Sequence, residues 1–373
     1  MRSLLIMTLL IDAHCDLAWN MVSFGRDYSL AVAQTRQREQ GGPAVRHNED
    51  TLVGWPEYQL GQVAIVFATL FAAPKRDQGA DWIGPGYRTF DEAHRLYQEQ
   101  LQTYHALADA RPDHFCLLMD RGDLDRHLEL WADSQRSSRP VGLVMLMEGA
   151  DGIRSIDELK EWHEEGLRLI GLAWAGTRYS GGTRNPGPLT EDGRLLLGAM
   201  SELGFVLDLS HMDEAAALEA LDLYEGPVVA THVNCLALLP GFQSNRHFSD
   251  MVLRKIIERG GVIGNVPVNT FLKSGWSHKA GSRRDEVPLD AYAAHLDHVC
   301  QIAGDSLHSG IGSDFDGGFG LQSAPLEIDS IADLQKVAPL LIKRGYTPAD
   351  VENILGLNWA RMLQGSLPAG ASS

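Results

Sequence analysis

Long apolar runs are missing from this 373-residue chain: no segment approaches the roughly 18 uncharged residues that a membrane-crossing helix requires. A soluble protein with no membrane partner is expected. The opening stretch MRSLLIMTLLIDAHCD imitates a secretion signal, with Arg2 ahead of apolar residues, yet no small-residue cleavage site separates it from His14. Cleavage there would delete a first strand, so a cytoplasmic location is expected. Positive charge is also short, with 32 Lys plus Arg against 49 Asp plus Glu and a formal net charge of -17. That balance repels phosphate backbones and argues against nucleic acid as a partner. Cysteine is scarce: Cys15, Cys116, Cys235 and Cys300 form no CxxC pair, which excludes a disulfide framework and a thiolate zinc knuckle. Cys15 and Cys235 lie beside candidate ligands but read as small packing residues. GxGxxG phosphate loops and GxSxG nucleophile elbows are absent as well.

Hydrophobic residues at 44% and charged residues at 22% place the chain among folded globular proteins rather than disordered ones. Short apolar runs alternate with amphipathic segments, the order that builds a parallel sheet. The runs fall at 4–11, 63–71, 141–147, 167–173, 205–209, 228–231, 262–266 and 310–313, and helical patterns at 91–110, 156–165, 191–203, 213–224, 249–259 and 289–303. Asp213 and Ser249 stand as N-cap candidates, and ERGGV at 258–262 closes a helix with glycine. Eight strands with intervening helices predict an α/β fold, a single (β/α)8 TIM-type barrel. It would occupy residues 1–364, with GSLPAGASS at 365–373 as a disordered tail. Residues 22–58 carry one helical pattern at most and read as an insertion near the barrel mouth, while 73–90 reads as a long loop.

Ionisable residues recur where these strands end: His14 and Asp16 after the first, Glu148 after the third, His211 after the fifth, His232 after the sixth, Asp314 after the eighth. In a barrel of this type, side chains at the C-terminal rim converge on one cavity. His14 and Asp16 stand two apart and share a face of an extended backbone. Three imidazoles and three carboxylates suit zinc, and a carboxylate can bridge two ions. One zinc is assigned to His14, Asp16 and Glu148 and a second to Glu148, His211 and His232, with a water or hydroxide between them and Asp314 left as acid and base. Taken singly, a histidine is more often structural, the reading given to His47, His94, His105, His114, His127 and His163; together the rim residues reverse those odds, because buried charge is costly unless paired or metal-bound. Asp16 and Asp314 have a blander alternative as helix caps or loop braces. SDFDGG at 313–318 lacks the later glutamate of a calcium loop, and Asp316 is left as an orienting group.

The stretches IDAHCDLAW (11–19), LMEGADGI (146–153), LTEDGRLLLGAMSELGFVLDLSHMDE (189–214), PVVATHVN (227–234), GIGSDFDGG (310–318) and NILGLNWARML (353–363) together resemble the renal or membrane dipeptidase family of dizinc metallopeptidases, which are (β/α)8 barrels. The resemblance implies metal-ligand roles for His14, Asp16, Glu148, His211 and His232, an acid/base role for Asp314, and a substrate-carboxylate role for Arg246 in NRHFSD. An arginine fork suits a terminal carboxylate. PGFQ at 240–243 lengthens the spacing from His232 to Arg246 beyond the family's usual one. Many relatives place an oxyanion-stabilising histidine after strand four, where this chain has Trp174. Arg178, on the same rim loop, is the nearest replacement donor, and Trp174 has the alternative of packing against the substrate.

The expected function is hydrolysis of the peptide bond of dipeptides, including L,D-dipeptides, with two Zn2+ per chain or other divalent transition metals in the same ligands. The partner is a small peptide substrate. Relatives are often homodimers. The alternatives are a dizinc hydrolase of another amide, lactam or ester, and a catalytically inactive metal-binding scaffold.

Overall fold

Eight parallel strands carry the architecture: β1 (Leu10–Cys15), β2 (Val63–Phe71), β3 (Val141–Glu148), β4 (Leu167–Gly171), β5 (Val206–Asp208), β6 (Val228–Val229), β7 (Ile263–Asn265) and β8 (Ser309–Ile311). In this computed structural model, residues 8–78, 84–133, 135–136 and 138–370 are described. The sheet order runs β6-β5-β4-β3-β2-β1-β8-β7, and a parallel bridge between Ala230 and Ile263 joins its two ends into a nearly closed barrel. All nine residues of β2 are buried, as expected of a strand with the barrel interior on one face and helices on the other. A further short strand, Phe115–Leu117, pairs alongside β3.

The interior is filled by Ile11, Ala13, Ile65, Phe67, Val144, Leu146, Leu169, Val206 and Val229, and the final helix, Asn358–Ser366, caps it from below. Trp359 packs edge-on at 5.3 Å from Phe67 and donates its indole N–H to the carbonyl of Ile311 at 3.0 Å. This helix continues through Ser366, Leu367 is buried, and the Pro368 carbonyl accepts the Arg121 amide at 3.0 Å. The disordered tail expected from 365 is therefore corrected up to residue 370; 371–373 lie outside the described residues. Leu367 supplies the apolar anchor that the Gly/Ser-rich composition concealed.

The expected strand at 4–11 is observed at Leu10–Cys15, with residues 1–7 outside the described ones. Its pairing with β2 shifts between Asp12 and Cys15, a β-bulge. Ile11 and Ala13 face the interior, whereas Cys15 joins the outer layer. The extra residue turns His14 inward beside Asp16, a common use of bulges next to functional sites. Asp12 braces the bulge, accepting from the amides of His14 (3.4 Å) and Ser313 (2.7 Å) and from the Ser313 hydroxyl.

The segment 22–58 holds three short helices after Phe24: Val32–Glu39, Pro43–Asn48 and Trp55–Leu60. Their shortness hid them from periodicity. What holds the segment is Asp316, fully buried, which accepts from Arg26 Nη1 (2.9 Å), the hydroxyls of Tyr28 (3.1 Å) and Thr51 (2.6 Å), and the Leu52 amide (3.0 Å). Such a paired and hydrogen-bonded carboxylate pins the insertion to the rim beside Asp314. Within 73–90, Ala73–Pro74 pairs with Gly86–Tyr87, and 79–83 fall outside the described residues. After β4 a hairpin, Ser180–Gly182 with Asn185–Leu189, folds over the mouth. Gly181 and Gly187 cross so closely there that a Cβ on Gly181 would collide with the opposing backbone.

Candidate metal centre

The residues that end the strands meet. Glu148 Oε1 lies 3.0 Å from His211 Nε2 and 3.2 Å from His232 Nε2, and Glu148 Oε2 lies 3.8 Å from His14 Nε2. Asp16 and Asp314 stand 3.7 and 4.0 Å from the same His14 nitrogen. The rings of His14 and His232 stack at 3.6 Å. His211 and Asp314 hold left-handed backbones (φ 68° and 56°), a conformation uncommon for residues with a Cβ and concentrated at functional sites. Three donor sets have ligand atoms within 4.8 Å of one another: His14, Asp16, Glu148; Glu148, His211, His232; and His14, His232, Asp314. The first two share Glu148.

The electrostatics fit cations. Burial opposes charge on His14, but Glu148, Asp16 and Asp314 outweigh it and raise the imidazole to about 10. His211 and His232 are driven the other way by burial, with Arg246 and His14 adding to it. Burial pushes Glu148 well up and Asp314 up to about 7, His14 opposing in both cases. Without bound cations, the His14 imidazolium and the Arg246 guanidinium are left to balance this cluster of carboxylates. His14 Nε2 and Asp16 Oδ1 are buried without a hydrogen-bond partner among the described residues, a costly state for polar atoms that a metal would relieve.

Of these donors Asp16, Glu148, His211 and Asp314 line a cavity of about 410 Å³ that Trp19, Phe71, Trp174 and Phe271 help to wall, with His14 and His232 buried beneath them. Arg246 enters it: Nη2 donates to the His232 carbonyl at 2.8 Å, the guanidinium lies 5.5 Å from the Phe271 ring centre, and Nη1 is buried without a partner among the described residues. Trp174 stands against Phe71 at 5.1 Å and 6.4 Å from the His211 ring. Arg178 does not enter. Its Nη1 donates to the Arg154 carbonyl at 3.1 Å, its Nε faces Asp192 at 3.5 Å, and its guanidinium covers Phe90 at 4.9 Å. The expected oxyanion role of Arg178 is corrected accordingly: the turn after Trp174 aims residue 178 outward and residue 184, at the hairpin tip, over the cavity.

A family profile described as membrane dipeptidase, peptidase family M19, matches residues 1–367. The chain belongs to that family. It is a metallo-dipeptidase by class, a hydrolase acting on peptide bonds. Among curated relatives, an uncharacterized protein in the pqqA 5′ region of Klebsiella pneumoniae is 32% identical over 239 residues, 61% of this chain and 83% of that one. Dipeptidase tcpJ of Claviceps purpurea (strain 20.1) is 28% identical over 262 residues, 65% of this chain, and the match spans 57% of that protein's length. A solved dipeptidase, dipeptidase AC, a metallopeptidase of family M19, superposes with a TM-score of 0.74 at 25% identity, covering 97% of this chain and all of that one.

This dipeptidase also braces its candidate metal donors with residues that sequence reasoning passed over. Each donor histidine has a threonine hydroxyl at Nδ1: Thr69 for His14 (3.5 Å), Thr183 for His211 (3.0 Å) and Thr231 for His232 (2.9 Å). The Thr231 hydroxyl donates to Asp208, so it accepts from His232 Nδ1–H and leaves Nε2 as the lone-pair nitrogen. Asp208 also takes the amides of Ser210 (3.0 Å) and Thr231 (2.9 Å), tying the end of β5 to that of β6 as Asp12 ties β1 to β8. The available signal was an aspartate two or three residues ahead of a donor histidine, in DAHCD and DLSH. His47, read from sequence as structural, lines the cavity beside Trp19 at 5.1 Å. Thr231→Val is expected to weaken divalent-metal binding by about 10- to 100-fold while the protein stays folded, as chelator competition would measure.

Proposed function

We propose that this chain is a dizinc dipeptidase of the cytoplasm that cleaves free dipeptides, L,D-dipeptides included. The observation that carries the reading is Glu148, buried and shared between two donor sets, in the lining of a cavity that Arg246 also lines. His14, Asp16 and Glu148 would hold one zinc, and Glu148, His211 and His232 the other. Zinc, when bound, supplies Lewis-acid polarisation of a carbonyl and lowers the pKa of a water.

The chain's own groups do the rest. Arg246 binds the free carboxylate of the substrate, which limits the substrate to one residue beyond the scissile bond and places that bond over the donors. Asp314 accepts a proton at a carboxylate oxygen and returns it to the leaving nitrogen, so that an amine departs. Trp174 and Phe71 wall the site against bulk water and meet the substrate side chain. Four free cysteines, three of them buried, fit a reducing compartment. No helix among the described residues is long and apolar enough to cross a membrane. We take the catalytic unit as one domain and its assembly as a homodimer, following the family.

The test is zinc per chain measured beside hydrolysis of L,L and L,D dipeptides, with a lactam and an ester as controls. Two zincs with dipeptide turnover are expected. Two zincs with lactam or ester turnover alone would move the substrate class, and zinc without any hydrolysis would leave a metal-holding scaffold.

A further inference from the structure

Charge in the cavity is layered. Asp16, Glu148, Asp314 and Arg246 at the floor are buried, whereas Arg46, Arg184 and Lys279 also line it and are exposed. These three cations come from three separate excursions: the insertion after β1, the hairpin after β4 and the loop after β7. Among the described residues the one other lining carboxylate, Asp77, is engaged by Asn185 Nδ2 at 2.8 Å and Arg76 Nε at 3.0 Å. On a chain of net charge -17, three cations around a single opening run against the composition.

Arg184 is the most constrained of them. It sits between the two hairpin strands with φ at 67°, a left-handed backbone for which glycine or asparagine would be the ordinary choice. Its amide donates to Asn245 Oδ1 at 3.1 Å, and Asn245 Nδ2 donates in turn to the Gly182 carbonyl (3.0 Å) and to Asp213 (2.8 Å). The residue next to Arg246 thus clamps the turn. The guanidinium lies 5.7 Å from the centre of the Trp174 ring, the same indole that neighbours His211. An arginine held on an aromatic shelf keeps its fork toward solvent, preorganised for an anion.

We propose that Arg184, together with Arg46, forms a second anion subsite at the mouth, which binds the side-chain carboxylate of an acidic residue in the substrate. The favoured substrates are dipeptides containing Glu or Asp. This rests on the dipeptidase reading, with Arg246 occupied by the α-carboxylate. The cationic mouth also steers such substrates from solution, an effect that falls with ionic strength.

The experiment compares isosteric pairs, Glu-Ala with Gln-Ala and Ala-Glu with Ala-Gln, in L,L and L,D forms on the metal-loaded enzyme. One pair is expected to show a preference of about tenfold in kcat/KM for Glu over Gln, weaker at high salt. Arg184→Gln should bring that ratio toward one and Arg184→Lys should restore part of it. A wild-type ratio near one, or equal losses for Glu and Gln peptides in Arg184→Gln, overturns the subsite. Calorimetric binding of the same peptides to metal-loaded Asp314→Asn protein separates the two readings. A Glu preference in binding with no wild-type turnover of any dipeptide supports the subsite and overturns the dipeptidase reading; no preference in binding overturns the subsite.

Discussion

Glu148→Ala is expected to abolish the loading of both metals and to lower kcat/KM by at least about 10³-fold, the scale on which metal-assisted catalysis is lost. The expectation follows from sharing: the carboxylate stands within 3.2 Å of both His211 and His232 and also belongs to the set with His14 and Asp16. Removing a donor from only one set would leave the other complete. Removing Glu148 breaks both sets that contain it, leaving His14 and Asp16 on one side and two imidazoles on the other, so neither assigned site keeps the three protein ligands usual for catalytic zinc; of the three donor sets only His14, His232 and Asp314 stays complete. Stability separates this from simple misfolding. Burial pushes the Glu148 carboxyl up while the same group is the main charge that raises His14, so losing it from the metal-free protein removes a cost and a compensation together and the apo Tm should change little. Added zinc should then raise the wild-type Tm by mass action and leave the variant nearly unmoved. A variant that still takes up two zincs would overturn the bridging role.

That these candidate donors come together was legible in the chain because each closes an apolar run of strand length, and a parallel barrel sends those ends to one rim. β2 is observed at the expected residues, and β3 ends on Glu148 itself. The inward turn of His14 was harder to foresee, since the two-residue alternation that paired it with Asp16 says nothing of the bulge between Asp12 and Cys15. The insertion was illegible for a different reason: three short helices leave no periodic signal, and the Asp316 carboxylate that organises them lies some 260 residues away in sequence, paired across the fold with Thr51 and Leu52. Arg178 was singled out by its place on the rim loop and Arg184 was passed over, because only the hairpin formed where Gly181 and Gly187 cross puts residue 184, and not 178, in the cavity lining.

Asp314→Asn is expected to retain both metals and to lose about 10²- to 10⁴-fold in kcat, the range attributed to a positioned proton-transfer group. Asparagine is nearly isosteric and tolerates the left-handed backbone at this position (φ 56°), so the turn has no need to rearrange. The preceding residue, Ser313, stays braced on Asp12 through its amide at 2.7 Å. What asparagine cannot do is accept a proton from the attacking side and return it to the amine. Burial pushes Asp314 up to about 7, with His14 and Arg246 opposing, and cations bound among its neighbours pull it lower. The carboxylate form is required, so wild-type kcat/KM should fall as pH drops through a value at or below about 7, and this acid limb should be flattened in the variant. Asp314 also belongs to a donor set with His14 and His232, and metal content decides between the two roles. Two zincs with lost turnover and a flattened limb assign it to proton transfer. Loss of a zinc with the substitution would make Asp314 a ligand and overturn that assignment.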